Sequence, residues 1–166
     1  MEELKSSSTF RISFEDLAVI EAGEDRLPLS ALGNDSHIHG GLRIRIGDRL
    51  VPSLGHFGPD DVCFSDWIYE LQNILKAFEG NEIASYTFDE GEQGQPAFLF
   101  ERQGDSVFLS IIDSASSGGK ADPEWQKVPF AYAGLVRQVD SFITGFVSVL
   151  RGASPERADE WIAEFL

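Results

Sequence analysis

The sequence predicts a single α+β domain, residues 1–166, in which an antiparallel sheet packs against two or three helices. Several short segments alternate apolar with polar residues, which is the pattern of half-buried strands. Two longer segments repeat apolar residues every three or four positions, which is the pattern of helices. The 166 residues are 42% hydrophobic and include thirteen phenylalanines. A chain of this size can bury one core without a disulfide or a metal.

The N-terminal strands of the sheet are predicted from alternation. Phe10, Ile12 and Phe14 occupy every second position of residues 9–14, so one side of this strand faces the core. Residues 17–20 either continue that strand or open a second one. Residues 26–39 contain proline, glycine, asparagine and aspartate and predict an irregular connection. Alternation returns in residues 42–46, and Gly47-Asp48 supplies a turn into residues 49–54, which predicts a hairpin.

The first helix is predicted to begin with Ser65 as its N-cap and to end at Gly80-Asn81. Its apolar residues follow at spacings of four, four and three, which places them in one stripe. These residues are Trp67, Leu71, Leu75 and Phe78.

A three-strand meander is predicted next, with strands at residues 83–88, 97–102 and 107–113. Gly104-Asp105 joins the last two strands as a two-residue turn, with glycine where a type II′ turn favours it. The length of this turn also predicts the register of the hairpin. In that register, large apolar side chains pair on one face, Phe100 with Leu109 and Phe98 with Ile111.

The C-terminal part predicts a loop and two helices. Residues 114–126, rich in serine, glycine and acids, predict a mobile loop. In the long helix that follows, Arg137 and Asp140 interrupt the apolar segment 131–150, so we expect it to pack on the apolar face of the meander rather than to span a membrane. Ser154-Pro155 predicts the start of a short final helix. The stripe of the long helix is formed by Leu135, Val139, Phe142, Phe146 and Leu150.

The net charge narrows the class of partner. Aspartate and glutamate outnumber lysine and arginine by 28 to 13, which gives a formal charge of −15 at pH 7. Such a surface repels nucleic acid and anionic membranes, and it accelerates encounters with a basic partner. The sequence therefore predicts a basic protein as partner, with neither nucleic acid nor a membrane bound.

The compartment is predicted from cysteine usage and from the first residues. Cys63, the one cysteine, cannot form an internal disulfide and predicts a buried packing residue in a reducing compartment. Residues 1–10 are charged and then rich in serine, unlike a secretory leader. We expect a cytoplasmic protein.

Three groups of residues are candidates for metal, phosphate or catalytic chemistry. His37 and His39 share one side of a strand, but a metal would also have to recruit Asp35 or His56, so no metal or other cofactor is expected. Gly118-Gly119-Lys120 lacks the first glycine and the hydroxyl residue of a phosphate-binding loop. The carboxylates of the acidic turns lie among glycine and glutamine, where we expect solvation rather than a dry catalytic pocket. The prediction is therefore a protein that is not an enzyme.

Two acidic turns are the predicted partner-binding residues. The first turn contributes Asp89, Glu90 and Glu92. The second contributes Asp122, Glu124 and Trp125, and tryptophan is enriched at the centre of protein interfaces. A loop tryptophan folded back onto its own core is an equally common arrangement.

From Ser65 onward the order of residues resembles small bacterial immunity proteins of polymorphic and contact-dependent toxin systems, including the immunity family of the cell-wall-associated toxin. The pattern covers roughly the last hundred residues. The resemblance implies neutralisation of a toxin by direct binding. The residues that carry it are Trp67, Leu71 and Leu75, the segments 86–88, 96–100 and 102–105, and Phe142, Phe146 and Leu150.

Two alternatives remain beside an immunity protein. One is an acidic secretion-type chaperone, a small α+β protein that holds an effector segment in an exposed groove and dimerises through the helix at residues 135–150. The other is a small uncharacterised enzyme. A homodimer is compatible with either binding hypothesis.

Overall fold

The computed structural model describes residues 8–21 and 25–166, and it contains two antiparallel sheets and three helices. The first sheet has the order β2-β1-β3-β4, with β5 also paired to β3. Its strands are β1 (Phe10–Ile20), β2 (Arg26–Leu27), β3 (His37–Ile46), β4 (Arg49–Leu50) and β5 (Val62–Cys63). The second sheet has the order β6-β7-β8-β9, formed by β6 (Ile83–Phe88), β7 (Ala97–Gln103), β8 (Ser106–Ile112) and β9 (Val128–Ala131). The helices are α1 (Phe64–Phe78), α2 (Tyr132–Ala153) and α3 (Ala158–Phe165).

The predicted α+β class is confirmed, but the strands form two sheets rather than one. In the first sheet, β1 is a single long strand, so residues 17–20 continue the strand predicted at 9–14. A bulge between Glu15 and Ala18 interrupts its pairing with β3, and Asp16 takes a positive φ of 53° there. The hairpin at Gly47-Asp48 is present, although β4 is only two residues long.

The second sheet contains the predicted meander in the predicted register. Phe100 lies opposite Leu109 and Phe98 opposite Ile111, and all four side chains are buried. Gly104 has a positive φ of 61°, as its place in the turn requires. β9 adds a fourth strand to this sheet, and the sequence pattern did not predict it.

Two helix starts differ from the prediction. Cys63, not Ser65, is the N-cap of α1, and Ser65 lies inside the first turn, where it is buried beside the thiol of Cys63. The final helix begins at Ala158 rather than at Ser154, because residues 155–157 form a turn first. α1 ends at Phe78, and Gly80 follows with a φ of 72°, so the predicted end is correct.

The long helix α2 packs mainly on β1 of the first sheet and also touches β9. This corrects the expectation that it covers the meander. An aromatic cluster joins the layers, since Phe64 of α1 contacts Phe142 and Phe146 of α2, and all three surround Phe14 of β1. Within the described part of the chain, α2 is long and apolar enough to cross a membrane, a property that core helices share.

Candidate functional site

Three of the connections between strands meet at one side of the molecule, and we call them together the acidic loop surface. They are residues 51–61 between β4 and β5, residues 89–96 between β6 and β7, and residues 113–127 between β8 and β9. They carry eight aspartates and glutamates against two lysines. The two acidic turns predicted to bind a partner both belong to this surface.

Gln95 and Gly119 hold the three loops together. The buried Gln95 side chain donates from Nε2 to the carbonyl oxygens of Gly55 and His56. The main-chain carbonyl oxygen of Gln95 accepts a hydrogen bond from Oγ of Ser117. A Cβ atom on Gly119 would lie 2.1 Å from the Gln95 carbonyl oxygen, so only glycine allows this approach. The loops are therefore one assembled surface rather than three independent tails.

Glu90 is half-buried at the base of this surface rather than solvated, which corrects the expectation for the first acidic turn. Its Oε1 accepts a hydrogen bond of 3.1 Å from Nε1 of Trp67, and its carboxylate also accepts one from the backbone N–H of Gly55. Burial is the main cause that raises the pKa of Glu90 to about 7, and repulsion from Asp66 and Glu92 adds to it. Near neutral pH this carboxyl group is therefore divided between its protonated and ionised forms.

The carboxylates of Asp89 and Glu92 differ in how far they are hydrogen-bonded within the protein. The Asp89 carboxylate accepts the single O–H of Ser114, whose Oγ lies 2.8 and 2.9 Å from its two oxygens, and it also accepts a hydrogen bond from the backbone N–H of Gly91. Glu92 is exposed, and its Oε2 lies 3.6 Å from Nδ1 of His56. Asp89 therefore ties two loops together, whereas Glu92 presents its charge to solvent.

Two buried polar atoms of this region have no hydrogen-bond partner among the described residues. They are Nδ1 of His56 and Oε1 of Gln95. Buried polar atoms are normally paired. Nδ1 of His56 lies 3.6 Å from Oε2 of Glu92, just beyond hydrogen-bonding distance.

Phe57 is the exposed aromatic residue of this surface, and the sequence did not single it out. Its side chain is 84% exposed and its ring lies beside that of His56, with 4.3 Å between ring centroids. The flanking Gly55 and Gly58 both have positive φ, which lets the loop turn sharply around it. In the sequence, the Gly-x-x-Gly pattern around Phe57 could have indicated a sharp loop that exposes an aromatic ring.

Trp125 is buried, unlike Phe57, and only 5% of it is exposed. The guanidinium of Arg49 stacks on its ring at 4.3 Å and donates to the carbonyl oxygen of Glu124. Asp122 accepts a hydrogen bond from the backbone of Glu124 at 2.9 Å. Asp122 and Trp125, which were predicted to bind a partner, therefore stabilise the loop instead. The Glu124 side chain is exposed.

The loop at 113–127 has more internal bonding than its composition indicates. Asp113 accepts a hydrogen bond of 2.7 Å from Ala121, and Ser114 accepts from the backbones of Ser116 and Ser117. Backbone bonds also join both Asp122 and Trp125 to Ile111 of β8. The predicted mobile loop thus follows a path with many hydrogen bonds.

His37 and His39 both lie on β3, and only His39 has a side-chain partner described. Its Nδ1 is 2.9 Å from Oδ1 of Asp61, beside a cavity of about 490 Å³ that Phe57 also lines. Cys63 lies opposite His39 in the sheet, but its thiol contacts Ser65, and burial raises its pKa. No group of three metal-ligating side chains occurs within residues 8–21 and 25–166.

Comparison with known proteins adds no relative: no family model matches the sequence, and neither a curated protein nor a solved structure matches the chain. The resemblance to immunity proteins therefore stays a prediction that rests on the sequence pattern alone.

Proposed function

We propose that this chain is an acidic protein-binding domain that neutralises a basic toxin by direct, stoichiometric binding, as an immunity protein does. The observation that carries the proposal is the acidic loop surface together with the exposed aromatic ring of Phe57 on one of its loops. Exposed carboxylates of the three adjoining loops, such as those of Glu92 and Glu124, provide the field, and Phe57 provides apolar area. Charge of this kind accelerates encounter, and an aromatic anchor slows dissociation.

Binding requires no chemistry at this surface. The hydrogen bonds that Glu90 accepts from described residues come from the indole of Trp67 and the backbone of Gly55, and the carboxylates of Asp66 and Glu92 repel its charge. A raised pKa can mark a general acid, but the one side chain described in a hydrogen bond with Glu90 is the Trp67 indole, which is neither a nucleophile nor a proton relay. We therefore infer that Glu90 supports recognition in the cytoplasm rather than catalysis. A basic side chain of the partner placed near Glu90 would favour its ionised form.

Kinetic measurement of binding to the protein encoded by the neighbouring gene tests this proposal. Glu92→Lys should slow association, because it reverses an exposed charge of the acidic loop surface. Glu164→Lys makes the same change in total charge on α3 and serves as the matched control. If both variants slow association equally, the total charge rather than this surface is responsible. If wild-type protein does not bind at all, the proposed function is wrong.

A secretion-type chaperone is the second candidate, and one observation favours it. A groove of about 650 Å³ lies between α1 and α2, where Leu75, Val136 and Ile143 form an apolar wall. A chaperone would hold an unfolded segment in such a groove. Substitution of Val136 by aspartate would then abolish binding, whereas an immunity protein that uses the acidic loop surface would bind normally.

A further inference from the structure

The second sheet has one closed edge and one open edge. At the closed edge, β9 is four residues long, contains Pro129, and meets Ser8 through an isolated bridge at Phe130. At the other edge, β6 is six residues long and pairs with β7 without a bulge. Among the described residues no strand pairs with the outer side of β6.

β6 also lacks the features that usually protect an edge strand. Proteins guard such edges with proline, charged side chains, bulges or very short strands. The β6 sequence, Ile-Ala-Ser-Tyr-Thr-Phe, contains neither proline nor a charged residue. Its first residue, Ile83, has a side chain that is 86% exposed. The strands at the edges of the first sheet, β2, β4 and β5, are each only two residues long.

The pairing pattern shows which backbone groups of β6 are available. Gly104 donates to the carbonyl oxygen of Glu82 at 2.7 Å, which makes this pair a hydrogen-bonded one. In antiparallel strands such pairs alternate. Residues 84, 86 and 88 therefore bond to β7, whereas Ile83, Ser85 and Thr87 direct their N–H and C=O groups outward. These three residues offer six backbone groups along an edge about 20 Å long.

The charges at the two ends of β6 indicate what kind of strand would fit. Glu79 and Glu82 lie before the strand, and both are exposed. Asp89 and Glu90 of the acidic loop surface follow it directly, but both are hydrogen-bonded within the fold, so the exposed Glu92 supplies the free charge at this end. A strand with an uncharged middle and lysine or arginine at both ends would match this edge. A second copy of this chain would instead bring another net charge of −15 against it.

We propose that β6 receives an extended segment of the basic partner by strand addition, through the outward backbone groups of Ile83, Ser85 and Thr87. This inference rests on the proposed function, since it names the part of the toxin that binds and the edge that it binds to. Main-chain hydrogen bonds at the edge supply affinity, and the acidic residues at each end select a basic segment. The edge also runs directly into the acidic loop surface, so both can contact one partner.

Ser85→Pro is the decisive variant, with Ser85→Ala as its matched control. Proline removes the outward N–H of residue 85 without removing a bond to β7, and edge positions of this kind tolerate proline. Binding to the protein encoded by the neighbouring gene should weaken at least tenfold in Ser85→Pro. Ser85→Ala should bind within about twofold of wild type, because its backbone is unchanged. Circular dichroism and thermal unfolding check that both variants fold.

Amide hydrogen exchange by NMR keeps the inference testable if Ser85→Pro does not fold. In the free protein the amides of residues 83, 85 and 87 should exchange quickly and those of 84, 86 and 88 slowly. In the complex the first three should become protected at least tenfold.

The outcomes separate this inference from the proposed function. If the neighbouring gene's product binds while Ser85→Pro binds equally well and the outward amides stay fast, strand addition is wrong and the proposed function stands. If that product does not bind, both are wrong. Protection of the outward amides in the protein alone, together with a dimer in sedimentation, would show that a second copy occupies β6 and would overturn the inference.

Discussion

Two corners of the acidic loop surface each combine an aromatic residue with acidic residues, but the aromatic ring is exposed in one and buried in the other. In the first, Phe57 is exposed beside His56, and Glu92 presents its charge to solvent. In the second, Trp125 is buried beneath Arg49, and the Asp122 carboxylate accepts a backbone hydrogen bond. An aromatic residue among acids therefore does not by itself mark an interface. What matters is whether the ring and the charges are already used within the fold.

The largest expected effect concerns the buried corner. Trp125→Ala should lower the free energy of unfolding by about 3–5 kcal/mol, because it removes a large buried ring together with its stacking on Arg49. Phe57→Ala should change it by less than about 0.5 kcal/mol, since that ring is exposed. Urea unfolding of both variants measures the difference. Equal losses in the two variants would show that the corners are not different in kind.

The next effect concerns the exposed corner. Here Phe57, which matters little for stability, is the residue expected to affect dissociation of the partner. Phe57→Ala should raise the dissociation rate of the proposed complex roughly thirtyfold, which corresponds to about 2 kcal/mol for an anchor residue. Surface plasmon resonance with the neighbouring gene's product gives this rate. Replacing Pro123, an exposed residue of the other corner, by alanine provides the control and should leave the rate unchanged. An unchanged rate in Phe57→Ala would place the anchor elsewhere.

A smaller effect follows from the raised pKa of Glu90, which is about 7 in the folded protein against 4.5 for a free side chain. The folded state holds this proton more tightly than the unfolded state, so folding stability falls as pH rises between about 4.5 and 7. Glu90→Gln removes this loss while its amide oxygen can still accept from Trp67. Relative to wild type, the variant should gain on the order of 1 kcal/mol between pH 5 and pH 8, allowing for partial solvent exposure. Denaturant unfolding at both pH values measures the change, and a difference that is independent of pH would contradict the assignment.

The smallest effect compares one exposed charge in each corner. Glu92→Lys should slow association with the toxin about two- to fivefold. Glu124→Lys should do so less, because it lies beside Trp125 and not beside Phe57. Stopped-flow mixing at low salt resolves the two rates. A larger effect at Glu124 would mean that the partner docks on the buried corner.

The hairpin of the second sheet was predictable because its turn and its alternating strands are adjacent in the sequence. Gly104-Asp105 sets a two-residue turn, and the alternation of Phe98, Phe100, Leu109 and Ile111 admits one register. β9 was missed because Pro129 is atypical of strands, and only its pairing with β8 makes it one. The first half of β3 was also missed, since its two histidines and two glycines show no alternation. This half of β3 is a strand because it pairs with β1, whose nearest paired residue, Ile20, lies well before His37 in the sequence.

The candidate site was predictable only in composition. The acidic turns at 89–92 and 122–125 could be read from the sequence, but not which side chains remain free. Burial of Trp125 depends on Arg49, and the hydrogen bond that Arg49 donates to Glu124 spans 75 residues of sequence. The raised pKa of Glu90 depends on burial and on repulsion from Asp66, which lies on α1. Contacts of this range are set by the fold as a whole.

The dependence of the association rate on ionic strength tests the central claim most directly. Wild-type protein and the product of the neighbouring gene would be mixed at salt concentrations from about 50 mM to about 500 mM, over which the screening length shortens severalfold. We predict a one-to-one complex whose association rate falls by at least tenfold over this range, with a shallower fall in Glu92→Lys. A complex that forms at the same rate at every salt concentration, or no complex at all, would contradict recognition of a basic toxin by the acidic loop surface.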